Sequence, residues 1–202
     1  MIAIIDYGMG NLRSVQKAFE RLGVETTITS DASVVASAAK VVLPGVGAIA
    51  DAVAELKRAN LIDAIIQTIK SDKPFLGICL GFQALFEKSQ ENGGVTGLGV
   101  FKGKVLRFPE NPGCVVPHMG WNDFSFHQEV PLYKDVKPND YVYFVHSYYV
   151  ACDDPSIIAT TTNYDGVEFC SSIAKGNVFG VQFHPEKSQS VGLQILKNFA
   201  EL

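Results

Sequence analysis

Cysteine is scarce in this sequence, and the spacing of the few cysteines excludes two common uses of the residue. Only four occur in 202 residues, at Cys79, Cys114, Cys152 and Cys170. They lie far apart and form no Cys-x-x-Cys pair, so the ligand spacing of a common zinc site is missing. Without a secretion signal, the same spacing argues against a disulfide framework. We therefore expect no metal site, reduced thiols and a cytoplasmic location.

Other markers of particular protein classes are also missing. The net charge is −4 and no basic cluster is visible, which argues against nucleic acid as the main partner. The N-terminal apolar run, residues 1–5, is too short for a signal peptide, and no run approaches transmembrane length. There is no internal repeat, low-complexity tract or obvious linker. The length and the 47% content of hydrophobic residues predict one globular domain spanning residues 1–202.

The most informative feature that is present is a cysteine between two glycines, in Gly77-Ile78-Cys79-Leu80-Gly81. It follows the apolar pair Phe75-Leu76 and precedes a predicted helix over residues 82–87. Glycines on both sides allow a sharp strand-to-helix turn that lifts the thiol clear of the sheet, and a helix starting there favours thiolate. On the pentapeptide alone, two interpretations stay open: a nucleophile elbow, or a small buried hydrophobic side chain.

A candidate base lies near the other end of the chain. Residues 179–183 read as a buried strand that runs into His184-Pro185-Glu186. Proline disfavours helix at the residue before it, so we expect His184 to be extended at the strand end. Residues two apart in extended chain project to the same side, so Glu186 can orient the imidazole of His184. Together with Cys79 they form a candidate nucleophile–base–orienter set.

The first half of the chain alternates between strand and helix patterns. We predict strands over residues 2–5, 24–29 and 41–43, and helices over residues 11–22, 34–39, 49–57 and 61–70. This alternation predicts an α/β fold with a parallel sheet and helices on both faces. Sites in such folds lie beyond the carboxyl ends of the strands. Asp6-Tyr7-Gly8, Pro44-Gly45-Val46-Gly47 and Cys79 all follow strands, so we expect them to converge.

The pattern of the second half predicts strands and turns. We expect these strands to form an antiparallel β extension of the sheet. Strands are predicted over residues 100–108, 124–126, 141–145, 157–162, 167–173 and 178–183. Tyr164-Asp165-Gly166 and Lys175-Gly176-Asn177 carry hairpin-turn residues. A helix over residues 191–202 closes the chain.

Three shorter motifs allow more than one interpretation. Pro44-Gly45-Val46-Gly47 is either a plain turn or a source of an N–H that joins the N–H of Leu80 in an oxyanion hole. The loop-like stretch Pro117-His118-Met119-Gly120-Trp121-Asn122 holds the single tryptophan, either at the edge of the core or at a protein contact. Gly8-x-Gly10 suggests a dinucleotide site, but Arg13 stands where the third glycine belongs, so we reject that hypothesis.

A Gly-x-Cys-x-Gly elbow with a distant His-x-Glu resembles the class I (triad) glutamine amidotransferases. The match covers essentially the whole chain in order. It is carried by Asp6 to Leu12, Pro44 to Gly47, Gly77 to Gln83, Pro117 to Asn122 and Phe183 to Ser188. These finer motifs are similar to the branch of the family that feeds ammonia to a (β/α)8-barrel synthase subunit in histidine biosynthesis. The resemblance implies a three-layer, flavodoxin-like domain and no cofactor.

The resemblance also implies residue roles. Cys79 attacks the carboxamide of glutamine, His184 relays the proton and Glu186 orients His184. Backbone near Val46-Gly47 and at Leu80 holds the oxyanion, while Gly45, Gln83, Ser147 and Tyr148 contact glutamine. The residues that it implies to face the barrel subunit in a heterodimer are His118, Met119, Trp121, Asn122, Tyr143 and Lys187.

In that branch, ammonia passes through the barrel to a phosphoribulosyl formimino aminoimidazole carboxamide ribonucleotide. The implied products are imidazole glycerol phosphate and aminoimidazole carboxamide ribonucleotide. Since uncoupled hydrolysis wastes glutamine, we expect the isolated subunit to be nearly inactive. Two other hypotheses are an amidotransferase that feeds pyridoxal phosphate synthase, and a non-catalytic module that uses Cys79 for redox sensing.

Overall fold

The computed structural model describes residues 1–109 and 114–202. As far as Cys79, strands alternate with helices, with two helices in succession before the last of these strands. The strands are β1 (Ile2–Ile5), β2 (Thr26–Thr29), β3 (Lys40–Gly45), β4 (Phe75–Cys79), β5 (Phe86–Ser89), β6 (Val95–Thr96), β7 (Phe101–Arg107), β8 (His118–Asn122), β9 (Ser125–Phe126), β10 (Val142–His146), β11 (Tyr148–Cys152), β12 (Ile158–Tyr164), β13 (Val167–Lys175) and β14 (Val178–Val181). The α-helices are α1 (Leu12–Glu20), α2 (Ala32–Ser37), α3 (Ile49–Arg58), α4 (Ile62–Lys70), α5 (Leu80–Gln83) and α6 (Gln189–Glu201). No helix in these described ranges combines the length and apolar character needed to cross a membrane.

One large sheet organises the molecule. Its main path is β2-β1-β3-β4-β14-β13-β11-β7-β5-β6, with β12 and β9 joined beside β13. The pairs from β2 to β14 are parallel, and those from β14 to β7 are antiparallel. A separate antiparallel ribbon joins β8 to β10. The predicted parallel sheet with an antiparallel extension is confirmed.

Helices cover both faces of the parallel part. Along β1, Ile4 belongs to the core that includes Phe19 of α1 and Phe199 of α6. Its neighbour Ile5 belongs to the opposite core, with Leu56 of α3. Successive side chains of a strand point to opposite faces, so a strand buried on both faces reads as a continuous apolar run. The three-layer prediction is thereby confirmed, and the carboxyl ends of β3 and β4 lie side by side.

The predicted helix over residues 82–87 is wrong. Helix α5 ends at Gln83, and the chain enters strand β5 at Phe86, which pairs in parallel with β7. Phe82 and Phe86 have the spacing of a helix face, yet they meet edge to face, with ring centroids 5.6 Å apart, across the junction of two elements. A helix of a single turn has a small dipole, so α5 contributes little positive potential at the Cys79 sulfur.

Two further strands, β8 and β11, are absent from the predictions. Strand β8 occupies the stretch interpreted as a loop, and β11 follows β10 after only Ser147. Gly120 interrupts the β-forming residues of β8, and its exposed Met119 and Trp121 give little sign of a buried face. Pairing with the apolar strand β10 stabilises β8, and that partner is distant in sequence.

Candidate active site

The turn after β4 holds Cys79 in a strained backbone conformation. Its φ is 52° and its ψ is −107°, a backbone conformation that residues other than glycine rarely adopt. A Cβ added at Gly81 would collide with the backbone of Leu43 on the neighbouring strand. Only glycine therefore lets α5 begin so close to the sheet. The thiol sits at the corner between strand and helix, and Cys79 is 7% exposed.

The chain beyond β14 brings a buried histidine–carboxylate pair to the same place. His184 is extended, with φ −102° and ψ 95°, as the following proline predicts. Its Nδ1 lies 2.8 Å from Oε1 of Glu186, and the two side chains are 3% and 2% exposed. Strand β14 lies next to β4 in parallel, so the residues that follow both strands meet at one edge.

The charge state of His184 depends on its neighbours. Burial by itself lowers its pKa, but the interactions of the ring with Cys79 and Glu186 outweigh burial and raise the pKa to about 10. The Nδ1–H group of His184 donates a hydrogen bond to the Glu186 carboxylate, so Nε2 is the ring nitrogen available to the reaction. Within the described parts of the chain, this buried Nε2 atom forms no hydrogen bond to a protein group.

The segment Pro44 to Gly47 lies beside the thiol. Gly45 pairs in register with Cys79 across β3 and β4. The hydroxyl of Tyr7 donates to the Pro44 carbonyl at 3.0 Å, which ties the end of β1 to this segment. Burial, helped by the charge of Cys79, raises the pKa of Tyr7 and keeps its donor proton in place. The predicted convergence of the three strand ends is thus confirmed for Tyr7, Gly45 and Cys79.

A cleft of about 410 Å³ opens over the thiol. That volume suits a small polar metabolite. Of the predicted site residues, those that line it are Val46, Gly47, Cys79, Leu80, Gln83, Ser147, Tyr148, His184 and Lys187. Gly45 and Glu186 lie behind the lining, against Cys79 and His184 respectively. The lining residues that were not predicted are Glu91, Pro117, Val145 and His146.

Glu91 is a charged group of the cleft that the sequence analysis missed. It opens a short 3-10 turn, and its Oε2 accepts from the backbone N–H of Ile49 at 2.7 Å. That N–H is at the start of α3, where free donors favour a carboxylate. No local pattern marks Glu91, because its partner lies 42 residues away.

The amide of Gln83 is fixed from inside the protein. Its Nε2 donates to the backbone carbonyl of Tyr148 at 2.9 Å and to Oε1 of Gln182 at 3.0 Å. Both amide hydrogens are therefore used, and the carbonyl oxygen is the group that Gln83 can offer to a ligand.

An aromatic surface lies beside the cleft. Trp121 and Tyr143 are opposite each other on β8 and β10, with ring centroids 5.9 Å apart. The ammonium group of Lys187 lies 5.8 Å from the centroid of the Tyr143 ring. Met119 and Trp121 are 66% and 45% exposed. His118, which was predicted to face a partner, is instead buried at 2% exposure.

A strained cysteine at a strand-to-helix corner, with a histidine–glutamate pair beside it, is an arrangement suited to acyl transfer. The description of the Glutamine amidotransferase class-I family matches residues 3–202, and the chain belongs to this family. Within it, the chain is 53% identical over 206 residues to the imidazole glycerol phosphate synthase subunit HisH of Geobacter sulfurreducens, covering 100% of this chain and 98% of that protein. It is 50% identical over 207 residues to the HisH subunit of Syntrophotalea carbinolica, with 100% of both chains covered. These similarities confirm the branch of the family that the motifs indicated.

Solved structures agree on the fold. A structure described as a glutamine amidotransferase superposes with a TM-score of 0.76 at 15% identity, covering 100% of this chain and 98% of that one. A chain of PurLQS from Thermotoga maritima gives a TM-score of 0.74 at 19% identity, covering 99% of this chain and 97% of that one. At such low identity, the likeness concerns the fold alone.

Proposed function

We propose that the protein is the glutaminase subunit of an imidazole glycerol phosphate synthase and works through a Cys79–His184–Glu186 triad in the cytoplasm. The observation that carries this proposal is the meeting of Cys79 and His184, 105 positions apart in the sequence, at one cleft. The full-length similarity to HisH subunits supports the choice of partner reaction.

The reaction proceeds by covalent catalysis. The thiol of Cys79 gives its proton to His184, and the sulfur attacks the side-chain carbonyl carbon of glutamine. The negative oxygen that forms is held by backbone N–H groups of Leu80 and of Val46-Gly47. The C–N bond breaks as His184 gives its proton to the departing nitrogen, so ammonia leaves and a glutamyl thioester remains. Water then gives a proton to His184 as it attacks the thioester, the C–S bond breaks, and His184 returns the proton to the sulfur, so that glutamate and free Cys79 result. The raised pKa of His184 keeps that proton available at neutral pH.

Glutamine is held at its two ends. The carbonyl oxygen of Gln83, with Ser147 and Tyr148 of the cleft lining, positions the substrate near the sulfur. The carboxylate of Glu91 lines the same cleft and is already fixed by Ile49, so it suits the α-ammonium group of glutamine.

The partner is a (β/α)8-barrel synthase subunit that docks on the aromatic surface. Met119, Trp121, Asn122, Tyr143 and Lys187 form that surface beside the cleft, in a heterodimer with the barrel. Ammonia enters the barrel without meeting bulk water, where most of it would be protonated and unreactive. We expect the isolated subunit to be nearly inactive, because the Val46-Gly47 peptide does not present its N–H until the liganded partner is bound.

One assay tests this function: release of glutamate from glutamine, with and without the synthase subunit and its nucleotide. Cys79→Ala should abolish glutamine-dependent formation of imidazole glycerol phosphate and leave synthesis from ammonium salts intact. Cys152→Ala, on strand β11, is the matched control and should retain both activities. Loss of both activities in Cys79→Ala would mean that Cys79 is structural. Vigorous hydrolysis by the subunit alone, equal to that of the liganded complex, would refute the predicted dependence on the partner.

A further inference from the structure

Two histidines that the triad does not use are buried beside the cleft. His118 on β8 and His146 on β10 are opposite each other in the ribbon, and they are 2% and 6% exposed. Nδ1 of His118 lies 2.9 Å from Nε2 of His146. A direct bond between two imidazoles requires one ring to donate and the other to accept.

The neighbours of the pair fix the direction of this bond. Nδ1 of His146 lies 2.8 Å from the backbone oxygen of Tyr148, and a carbonyl can only accept, so His146 carries its proton at Nδ1. Burial lowers the pKa of His146 to about 3 and that of His118 to about 4, so both rings are neutral at pH 7. Nε2 of His146 is therefore an acceptor, and His118 donates from Nδ1. The remaining Nε2 of His118 accepts from the side-chain amide of Asn122 at 3.4 Å.

The same chain of hydrogen bonds continues to the nucleophile. The Tyr148 carbonyl that His146 holds also accepts from Gln83 at 2.9 Å. Gln83 in turn donates to Oε1 of Gln182 at 3.0 Å, and Nε2 of Gln182 donates to the sulfur of Cys79 at 3.7 Å. Gln182 is fully buried, so these bonds are shielded from solvent.

We propose that His118 and His146 are positioning residues, a neutral pair with both protons at Nδ1 that holds the Tyr148 carbonyl and thereby the amides of Gln83 and Gln182 against Cys79. The proposal deepens the proposed function and rests on it, since the effect appears in glutamine hydrolysis. His118 thus acts on the active site from the buried face of β8, although the next residue, Met119, is exposed.

The tautomers are tested directly by nitrogen NMR of the imidazole rings in the isolated subunit, a measurement that needs no activity. With only four histidines, the signals can be assigned by single substitutions. We expect both His118 and His146 to be neutral at pH 7, with the proton at Nδ1 in each. His127, exposed and bonded to Thr161, provides a reference signal. A proton at Nε2 in either ring, or a charged ring, would overturn the proposed pairing.

The positioning role is tested with two substitutions of His118, one that removes its hydrogen-bond donor but keeps the ring packing and one that keeps a donor. The ring stacks on Tyr164 and Phe144, with centroids 4.0 and 4.7 Å away, so His118→Phe keeps the stack and removes the donor. We expect the glutaminase kcat of the complex to fall about tenfold, the loss of roughly one buried hydrogen bond, with KM for glutamine changed less than twofold. His118→Asn keeps a donor at the Nδ1 position and should restore most of kcat.

Several outcomes separate this proposal from others. His127→Phe should leave kcat unchanged, and every variant should keep ammonium-dependent synthesis. Equal losses in His118→Phe and His118→Asn would show that ring packing, not the donor, matters and would overturn the positioning role. If His118→Phe does not fold, the Asn variant and the tautomers still decide the matter. A wild-type complex without glutaminase activity would refute the proposed function, while the NMR result would still decide whether the pair exists.

Discussion

The imidazole of His184 and the carboxylate of Glu186 form a pair that is almost completely buried, with Nδ1 and Oε1 2.8 Å apart. Pro185 between them keeps the backbone extended at His184 and starts the short turn that carries Glu186. The pair is therefore held by local backbone geometry, while its position near Cys79 is set by the pairing of β14 with β4. A buried carboxylate beside a histidine has consequences for both stability and rate.

The first prediction concerns stability against pH. The pKa of His184 is about 10 in the folded protein, above its ordinary value of 6.5, so folding favours the protonated ring. The stabilisation from this group is complete below pH 6.5 and is lost as the pH rises towards 10. Urea unfolding of the wild type and of His184→Gln should therefore give free energies that converge between pH 6.5 and 10. A gap that widens with pH would contradict the raised pKa.

The second prediction concerns Glu186→Gln. The amide keeps the size of the side chain but removes the charge that stabilises protonated His184, and it can donate as well as accept, so the tautomer is no longer fixed. We expect the glutaminase kcat of the complex to fall on the order of 10²- to 10⁴-fold, with ammonium-dependent synthesis unchanged. Steady-state release of glutamate measures this effect.

The control for that substitution is Glu201→Gln near the C-terminus. The Glu201 side chain is 58% exposed and lies 3.8 Å from Lys197 on α6, so solvent screens its charge. It should have wild-type kcat. An unchanged rate in Glu186→Gln as well would remove Glu186 from the proposed triad.

Much of this architecture was predictable from the sequence, because the buried parallel strands are continuous apolar runs. Residues 2–5 were predicted as a strand with the bounds that the structure has, since a strand buried on both faces is continuously apolar. The elbow at Cys79 and the extended His184 were predictable because glycine and proline restrict the backbone locally. Such signals act within a few residues of the site.

What could not be predicted depends on contacts between distant segments. Phe86 has a helical spacing from Phe82 but enters a strand, because β7 is available to pair with it. Glu91 and His146 reach the cleft through tertiary placement, with no motif to mark them. His118 lay in a recognised motif, but only the ribbon of β8 and β10 reveals that its ring points inward to His146.

The third prediction concerns Gly81→Ala. The added Cβ would meet backbone atoms of Leu43, which cannot move without disturbing β3. We expect the free energy of unfolding to fall by about 3 kcal/mol, the upper part of the range for overpacking. Urea denaturation measures the change.

A matched comparison is Gly166→Ala in the turn between β12 and β13. Gly166 has φ +83° but nothing within 4 Å of an added Cβ, so only backbone strain is introduced. The expected cost is about 1 kcal/mol. Equal losses at the two glycines would show that close packing of α5 on β3 is not what requires Gly81.

The fourth prediction concerns Tyr7→Phe. This change removes the hydroxyl that donates to the Pro44 carbonyl and leaves the buried ring in place. Loss of one buried hydrogen bond should lower the free energy of unfolding by about 1 kcal/mol. It should also lower the glutaminase kcat of the complex, because Pro44 is the start of the segment that leads to Val46-Gly47.

Tyr141→Phe, at a tyrosine that is 54% exposed, is the stability control and should cost nothing measurable. If Tyr7→Phe loses stability but keeps its full kcat, the hydrogen bond stabilises the fold without positioning Val46-Gly47. If neither the stability nor kcat changes, the hydrogen bond contributes to neither property in solution.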